Sequence, residues 1–350
     1  MTGFTIGTVN IPGPLLLAPL EGVNCSSFRL LCQKKGADLV YTQMIDADDV
    51  VVFAQDNDAK AVRKRFVNRL REEKILVVQI GGSNIENLQK TIELLLPDAD
   101  IIDYNMGCPL GSMVGKKGGA YLSKHPQRLE KIIPALKQAC GAVPLTCKIR
   151  LGWEDNNAVE VATQLERLGI AAIAVHGRTR QQRYMDKADW YAIRRVKLAL
   201  SIPVIANGDV LKPYHAITAI GQTKADAIMI GRAAMDNPLI FTQVKQLMNK
   251  LTTDPNPPPL LLDDQYAVVI EWLDLYKRHE ARYKISEIQD HVGWMTKGWP
   301  NATKLRELVR EAKEEKDIRS ILGMWKANFP KNGVVSAKKL NKEDERLVSG

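Results

Sequence analysis

Ile101-Ile102-Asp103-Tyr104-Asn105-Met106-Gly107-Cys108-Pro109 is a strand-like apolar segment that ends in a turn carrying a thiol. Gly107 permits a sharp change of direction, and Pro109 fixes φ just beyond the cysteine. Cys108 is thereby presented at a strand end, with the amide of Asn105 close by. The flexible, cationic Gly115-Lys116-Lys117-Gly118-Gly119 follows. A structural cysteine packed in an ordinary turn is the competing reading, because free cysteine usually behaves as a small hydrophobe. The rest of the chain decides between them.

Working outward, seven more short apolar runs have the same character. They lie at residues 14–18, 38–41, 75–79, 145–149, 172–175, 203–206 and 227–230. Helical periodicity fills the gaps, as at residues 84–96 and 158–168. Near-continuous apolar strands are what a parallel sheet buried on both faces requires. Eight strand–helix units in succession predict a (β/α)₈ TIM barrel, expected over residues 11–248. A doubly wound open sheet is the alternative, but no GxGxxG follows the first run.

The unusual polar residues fall at one place in this pattern. Pro19, Gln79, Asn105, Lys148, His176, Asn207 and Gly231 stand in or just after the C-terminal ends of seven different strands. In a barrel that edge is a single ring, where active sites are built. Asn207-Gly208-Asp209 and Gly231-Arg232 follow the last two strands, the usual phosphate site of this architecture. Arg232 adds a charge-assisted contact there, so a phosphorylated cofactor or substrate is implied.

The 350 residues carry a formal net charge of +9, which favours an anionic partner. Five scattered cysteines without a CxxC pair argue against a zinc ribbon or a disulfide framework, and no metal site is expected. No leader-like N-terminus and no run of membrane-spanning length is evident, which predicts a cytoplasmic protein. The proline cluster within residues 249–259 reads as a semi-rigid linker. Helical periodicity then returns at residues 265–282, 286–295 and 301–326, predicting a small helical bundle over 260–330. A polar tail, 331–350, closes the chain.

Taken together these motifs resemble the tRNA-dihydrouridine synthases, flavin enzymes that reduce uridine in tRNA. The resemblance runs from about Leu17 to Lys326. Ala18-Pro19-Leu20-Glu21-Gly22-Val23 is similar to the family's opening loop, with Leu20 where methionine is usual. Asn105-Met106-Gly107-Cys108-Pro109 matches the signature around its catalytic cysteine. Lys148-Ile149-Arg150 and Val175-His176-Gly177-Arg178-Thr179 look like its flavin and substrate motifs, and the two phosphate loops match as well. In the helical unit, His291, Trp294, Lys297, Gly298 and Arg306 resemble its tRNA-facing pattern. The chain departs from the family at Gly111, where lysine is frequent, and at Asn24-Cys25, where Thr-Asp is usual. No double-stranded-RNA-binding domain follows.

The resemblance implies FMN as cofactor, NADPH or NADH as reductant, and a monomer acting on tRNA. It implies that Cys108 protonates C5 of the uracil while hydride reaches C6. Pro19, Leu20, Glu21, Gln79, Lys148 and His176 are expected around the flavin ring. Asn207, Gly208, Asp209, Gly231 and Arg232 are expected at its phosphate. Asn105 and Arg178 are expected at the uracil, and Lys116, Lys117, Lys297 and Arg306 at the RNA backbone. A base inside a folded RNA must be extruded to reach a barrel mouth, which accounts for a basic surface and a second unit. A flavin barrel acting on a free pyrimidine, such as dihydroorotate dehydrogenase, explains neither feature. A non-catalytic RNA-binding barrel has no need of Lys148 or Cys108.

Overall fold

The structure is a computed structural model that describes residues 3–250, 260–280 and 283–328. Most of the expected linker at 249–259, and the whole tail at 331–350, lie outside the described residues. The chain opens with an antiparallel hairpin, β1 (Phe4–Ile6) and β2 (Val9–Ile11). Nine parallel strands follow: β3 (Leu15–Leu17), β4 (Leu39–Tyr41), β5 (Ile45–Asp46), β6 (Leu76–Gly81), β7 (Ile101–Met106), β8 (Leu145–Arg150), β9 (Ala172–His176), β10 (Val204–Asn207) and β11 (Ala227–Ile230). Neighbours pair in order from β6 to β11, then β11 to β3 and β3 to β4. β4 also pairs with β6, so eight strands close a ring and leave β5 as a short addition at the end of β6.

All eight expected runs are strands of this ring. The hairpin, β5, and the helices Ala47–Phe53 and Ala59–Phe66 are not expected from sequence. Their segments are short or strongly charged, the hairpin strands have only three residues each, and β5 is defined only by its pairing with the distant β6.

Side chains alternate across each strand, which sorts the ring into two cores. Leu15, Leu17, Val78, Ile102, Cys147, Ile173 and Ile228 point outward and pack beneath the helices. Helix Ile85–Leu95 shows how that packing arises. Asn84 caps it by accepting from the Asn87 N–H, and Leu88, Ile92 and Leu95 fall on one buried face. Each such side chain contributes about 1.5–3 kcal/mol. Inward-facing Leu16, Tyr41, Val77, Ile101, Ala174, Ile205 and Met229 form a second cluster, and Ile6 and Ile11 of the hairpin close it from below. Further along the same strands the inward positions turn polar: Gln79, Asp103 and Asn105, Lys148, His176, and Asn207. The barrel is therefore packed at the bottom and chemically equipped at the top.

Four helices follow the barrel: Leu262–His279, Ile285–Met295, Ala302–Glu311 and Glu315–Ala327. The periodicity at 301–326 is broken at residues 312–314, where Glu314 and Asp317 form a capping box that starts a new helix. The unit is pinned to the barrel helix Ser26–Lys34. Cys25 offers that helix no side-chain cap, and Glu280 supplies one from the other unit. Its Oε1 accepts from the Ser27 N–H at 2.8 Å and from both serine hydroxyls at 2.7 Å.

Candidate active site

At the top of the ring, register brings the polar ends of neighbouring strands level. Asn105 of β7 lies beside Lys148 of β8, and His176 of β9 beside Asn207 of β10. Lys148 Nζ donates to Asn207 Oδ1 at 3.0 Å, and Asn207 Nδ2 donates to the Met229 carbonyl. Among the described residues no carboxylate forms a salt bridge with Lys148. Burial lowers its ammonium from 10.5 to about 8; Arg150 adds to the fall and Asp103 opposes it. The mouth therefore holds a cation with N–H groups to spare and no carboxylate in direct contact.

Burial holds the His176 imidazole well below its ordinary value, and Lys148, Arg150, Arg178 and Arg232 act in the same direction. It is neutral at neutral pH. Arg178 Nη1 lies 3.3 Å from its Nε2. Guanidinium only donates, so Nε2 is the acceptor and Nδ1 carries the proton. Arg178 is expected at the uracil, yet it is only 3% exposed. It donates to the Met185 and Asp186 carbonyls and to the Asp209 carboxylate. In this structure it ties the loop at residues 179–187 to the turn after β10. Asp209 Oδ2 also accepts from the Ala188 N–H. Its carboxylate is thus engaged, and backbone is what the Gly208–Asp209 segment can offer an anion. Gly208 has φ +123°, and a Cβ there would come within 3.0 Å of the His176 ring. Arg232 opens a short helix next to Gly231, 3.6 Å from Asp209 and over the Tyr184 ring.

The turn after β7 is held from both sides. Asn105 Oδ1 accepts from the Gly107 and Cys108 N–H groups at 3.1 and 2.8 Å. Arg150 Nε donates to the Gly107 carbonyl at 2.9 Å, and Ala120 N–H donates to the Cys108 carbonyl. The glycines that follow serve close packing as well as freedom. Gly119 has φ +56°, and a Cβ on it would sit 2.7 Å from the Cys108 oxygen. Cys108 is half-buried. Burial pushes its thiol up and nearby Glu21 adds to this, while the Leu110 N–H and Arg150 pull the other way. The thiol is protonated at neutral pH. Cys32, Cys140 and Cys147 are buried in the outer core. Cys25 stands at the N-cap of helix Ser26–Lys34, with its sulfur 3.9 Å from His291 Nε2.

His291 itself corrects an expectation. Its place in a tRNA-facing pattern suggests exposure, but it is fully buried against the barrel. It stacks on Trp272, and its nitrogens lie 2.9 Å from the Val23 and Glu287 carbonyls. The other cations expected at RNA are exposed to different degrees. Lys116 pairs with Asp46 and Asp48, Lys297 pairs with Asp236, and Lys117 is exposed at φ +61°. Arg306 is half-buried, packed over Gly293.

A cleft of about 680 Å³ runs from Glu21 between the barrel and the helical unit, lined by Asn57, Lys64, Arg65, Phe66 and Lys284 among others. Lys64 and Arg65 are absent from the sequence-based expectations, although Arg63-Lys64-Arg65 is a visible basic cluster. Arg150 and Asp103 figure there only as parts of motifs. A carboxylate inside an otherwise apolar strand is the available signal for Asp103.

Among solved structures, the chain is similar to a mutant morphinone reductase in complex with tetrahydroNAD. That match has a TM-score of 0.51 and 12% identity, over 70% of this chain and 89% of the other. It is also similar to the old yellow enzyme homologue from Zymomonas mobilis, at TM-score 0.51 and 12% identity over 77% and 95% of the two chains. At such identities these likenesses establish the barrel. Sequence relatives are nearer. The tRNA-dihydrouridine synthase B of Pseudomonas aeruginosa is 36% identical over 313 residues, covering 87% of this chain and 90% of that protein. The enzyme of the same name from Klebsiella pneumoniae is 35% identical, covering 83% and 88%. The dihydrouridine synthase (Dus) family profile matches residues 16–328. The chain belongs to the dihydrouridine synthase family, the enzymes that form dihydrouridine in tRNA.

Proposed function

We propose that this enzyme reduces the C5–C6 bond of a tRNA uridine using FMN and NADPH, with Cys108 as the proton donor. The observation that carries the reading is the pairing, at one barrel mouth, of a Lys148 cation without a salt-bridge partner and a protonated thiol on a braced turn. The donor set fits a flavin mononucleotide. Lys148 has N–H groups free for an electron-rich ring edge, His176 Nδ1 can donate to a carbonyl, and Pro19, Leu20 and Glu21 line the mouth beside them. The backbone of Asn207 to Asp209 and of Gly231, with Arg232, would hold the phosphate.

FMN bound there would supply the hydride for C6. Lys148 would set its charge and free N–H groups against the electron-rich ring edge. Cys108 breaks its S–H bond and delivers the proton to C5, leaving a thiolate close to Arg150. Asn105 and Gln79 retain one N–H each beyond their internal bonds, available to the uracil and the flavin respectively. Arg178 supports the uracil pocket from behind. The four C-terminal helices form a docking domain, and Lys116, Lys117, Lys297 and Arg306 contact the RNA backbone while the target base is extruded into the mouth.

Cys108→Ala tests the reading. The variant should retain flavin and its reduction by NADPH, since neither needs the thiol. Reoxidation of the reduced flavin by unmodified tRNA in single-turnover mixing should slow by roughly 10²–10⁴-fold, the usual worth of a placed general acid. Reoxidation at the wild-type rate would remove Cys108 from the mechanism.

A further inference from the structure

One buried carboxylate is not used by the chemistry above. Asp103 lies on β7 two residues before Asn105 and is fully buried. Its Oδ1 accepts from the Thr146 hydroxyl at 2.6 Å, and its Oδ2 accepts from Gln79 Nε2 at 2.7 Å. Gln79 Oε1 accepts from Asn105 Nδ2 at 2.8 Å. Asn105 Oδ1 then accepts from the N–H groups of Gly107 and Cys108. A continuous chain of hydrogen bonds thus runs from the barrel interior to the turn that bears the thiol.

The direction of that chain is set from both ends: the N–H groups of Gly107 and Cys108 can only donate, and at the inner end Asp103 can only accept. A primary amide has nearly the same shape turned end for end, so neither Gln79 nor Asn105 fixes its own orientation. An ionised carboxylate only accepts. Facing Asp103, Gln79 must present its NH₂ group, which leaves its oxygen toward Asn105. Asn105 must then present its own NH₂ group to Gln79, which leaves its oxygen toward the turn. A reversed Asn105 would set donors against the Gly107 and Cys108 N–H groups, and the turn would lose its acceptor. Burial pushes the Asp103 carboxyl up to about 6, held there by the Thr146 and Gln79 donors and by Lys148, so it is ionised at neutral pH.

We propose that Asp103 is a positioning residue for dihydrouridine synthesis: it sets the direction of the Gln79 and Asn105 amides and so holds the turn that presents Cys108. This rests on Cys108 being the proton donor. Asp103 acts through two other side chains, and its influence is on placement.

Asp103→Asn preserves size while it removes the acceptor-only inner end of the chain and the charge that acts on Lys148. In the flavin-loaded enzyme, iodoacetamide should modify Cys108 about tenfold faster than in wild type, followed by peptide mass spectrometry, because the turn opens more often. Reoxidation by saturating tRNA should slow about tenfold, with flavin content and tRNA affinity within about twofold of wild type. Adding Gln79→Glu to Asp103→Asn places a carboxylate between two amides, which again forces the Asn105 oxygen toward the turn. Cys108 alkylation in that double variant should return to within about twofold of wild type.

Wild-type alkylation in Asp103→Asn, or a double variant as fast as the single one, overturns the proposal. If Asp103→Asn yields no folded enzyme, Gln79→Met cuts the same chain and must itself accelerate alkylation; an unchanged rate there overturns it equally. Alkylation reports the turn whether or not the thiol is the acid. Should Cys108→Ala reoxidise normally while alkylation behaves as expected, it is the proton assignment that fails, and the hold on the turn stands.

Discussion

Replacing Lys148 by methionine should make the flavin-free protein more stable at neutral pH while it disables the site. The fall of the ammonium from 10.5 to about 8 means that its charge is held against the folded state. At about 1.4 kcal/mol per pH unit, the full penalty is about 3 kcal/mol. Lys148 keeps some exposure at the mouth, so solvent screening reduces this figure. Methionine also forfeits the hydrogen bond to Asn207, worth about 1 kcal/mol. A net gain of about 1–2 kcal/mol at pH 7 remains.

The sign follows from linkage. The folded value lies below the unfolded one, so the lysine's penalty is complete well below pH 8. It fades as pH rises from 8 to 10.5, above which both states are neutral. The advantage of the variant should therefore shrink across that window and vanish or reverse near pH 10. Urea unfolding of flavin-stripped wild type and Lys148→Met at pH 7 and pH 10 measures both values. A variant less stable at pH 7, or a difference that does not change with pH, would refute the claim that burial holds this charge against the folded state. In the flavin-loaded variant the FMN reduction potential should fall and reduction by NADPH should slow.

Two further outcomes test the helical unit. Reversing charge at Lys297 and Arg306 together should weaken tRNA binding, flatten its salt dependence and leave flavin content unchanged; an unaltered affinity would place the docking surface elsewhere. Glu280→Ala removes the borrowed cap of helix Ser26–Lys34 and should cost about 1–2 kcal/mol in denaturant unfolding, whereas Glu280→Gln, which keeps an acceptor, should cost less.

The ring of eight strands is legible because each strand is a short apolar run and both faces are buried. The strand-end residues are legible because polar residues interrupt those runs at a common point. What the sequence does not disclose depends on contacts far along the chain. The hairpin at Phe4–Ile11 has little pattern of its own and gains meaning only against the inward side chains of β3, β6 and β7. His291 has the same composition-level signature whether it faces RNA or Val23, and only the docking of the helical unit distinguishes the two. Arg178 reads as a free cation until Asp209, thirty-one positions later, is seen to occupy it. Asp103 is hidden by an apolar neighbourhood that makes its strand easy to recognise.

The hairpin beneath the barrel has a kinetic consequence. With Ile6 and Ile11 packed against the inner side chains, the lower end of the barrel is filled among the described residues, and the polar mouth lies at the other end. Under the proposed chemistry, nicotinamide and uracil must both present themselves to the same flavin through that opening. Neither can enter while the other is in place. Turnover then divides into two visits: one partner leaves electrons behind and departs before the other collects them. Under that chemistry, excess of either visitor should obstruct the other.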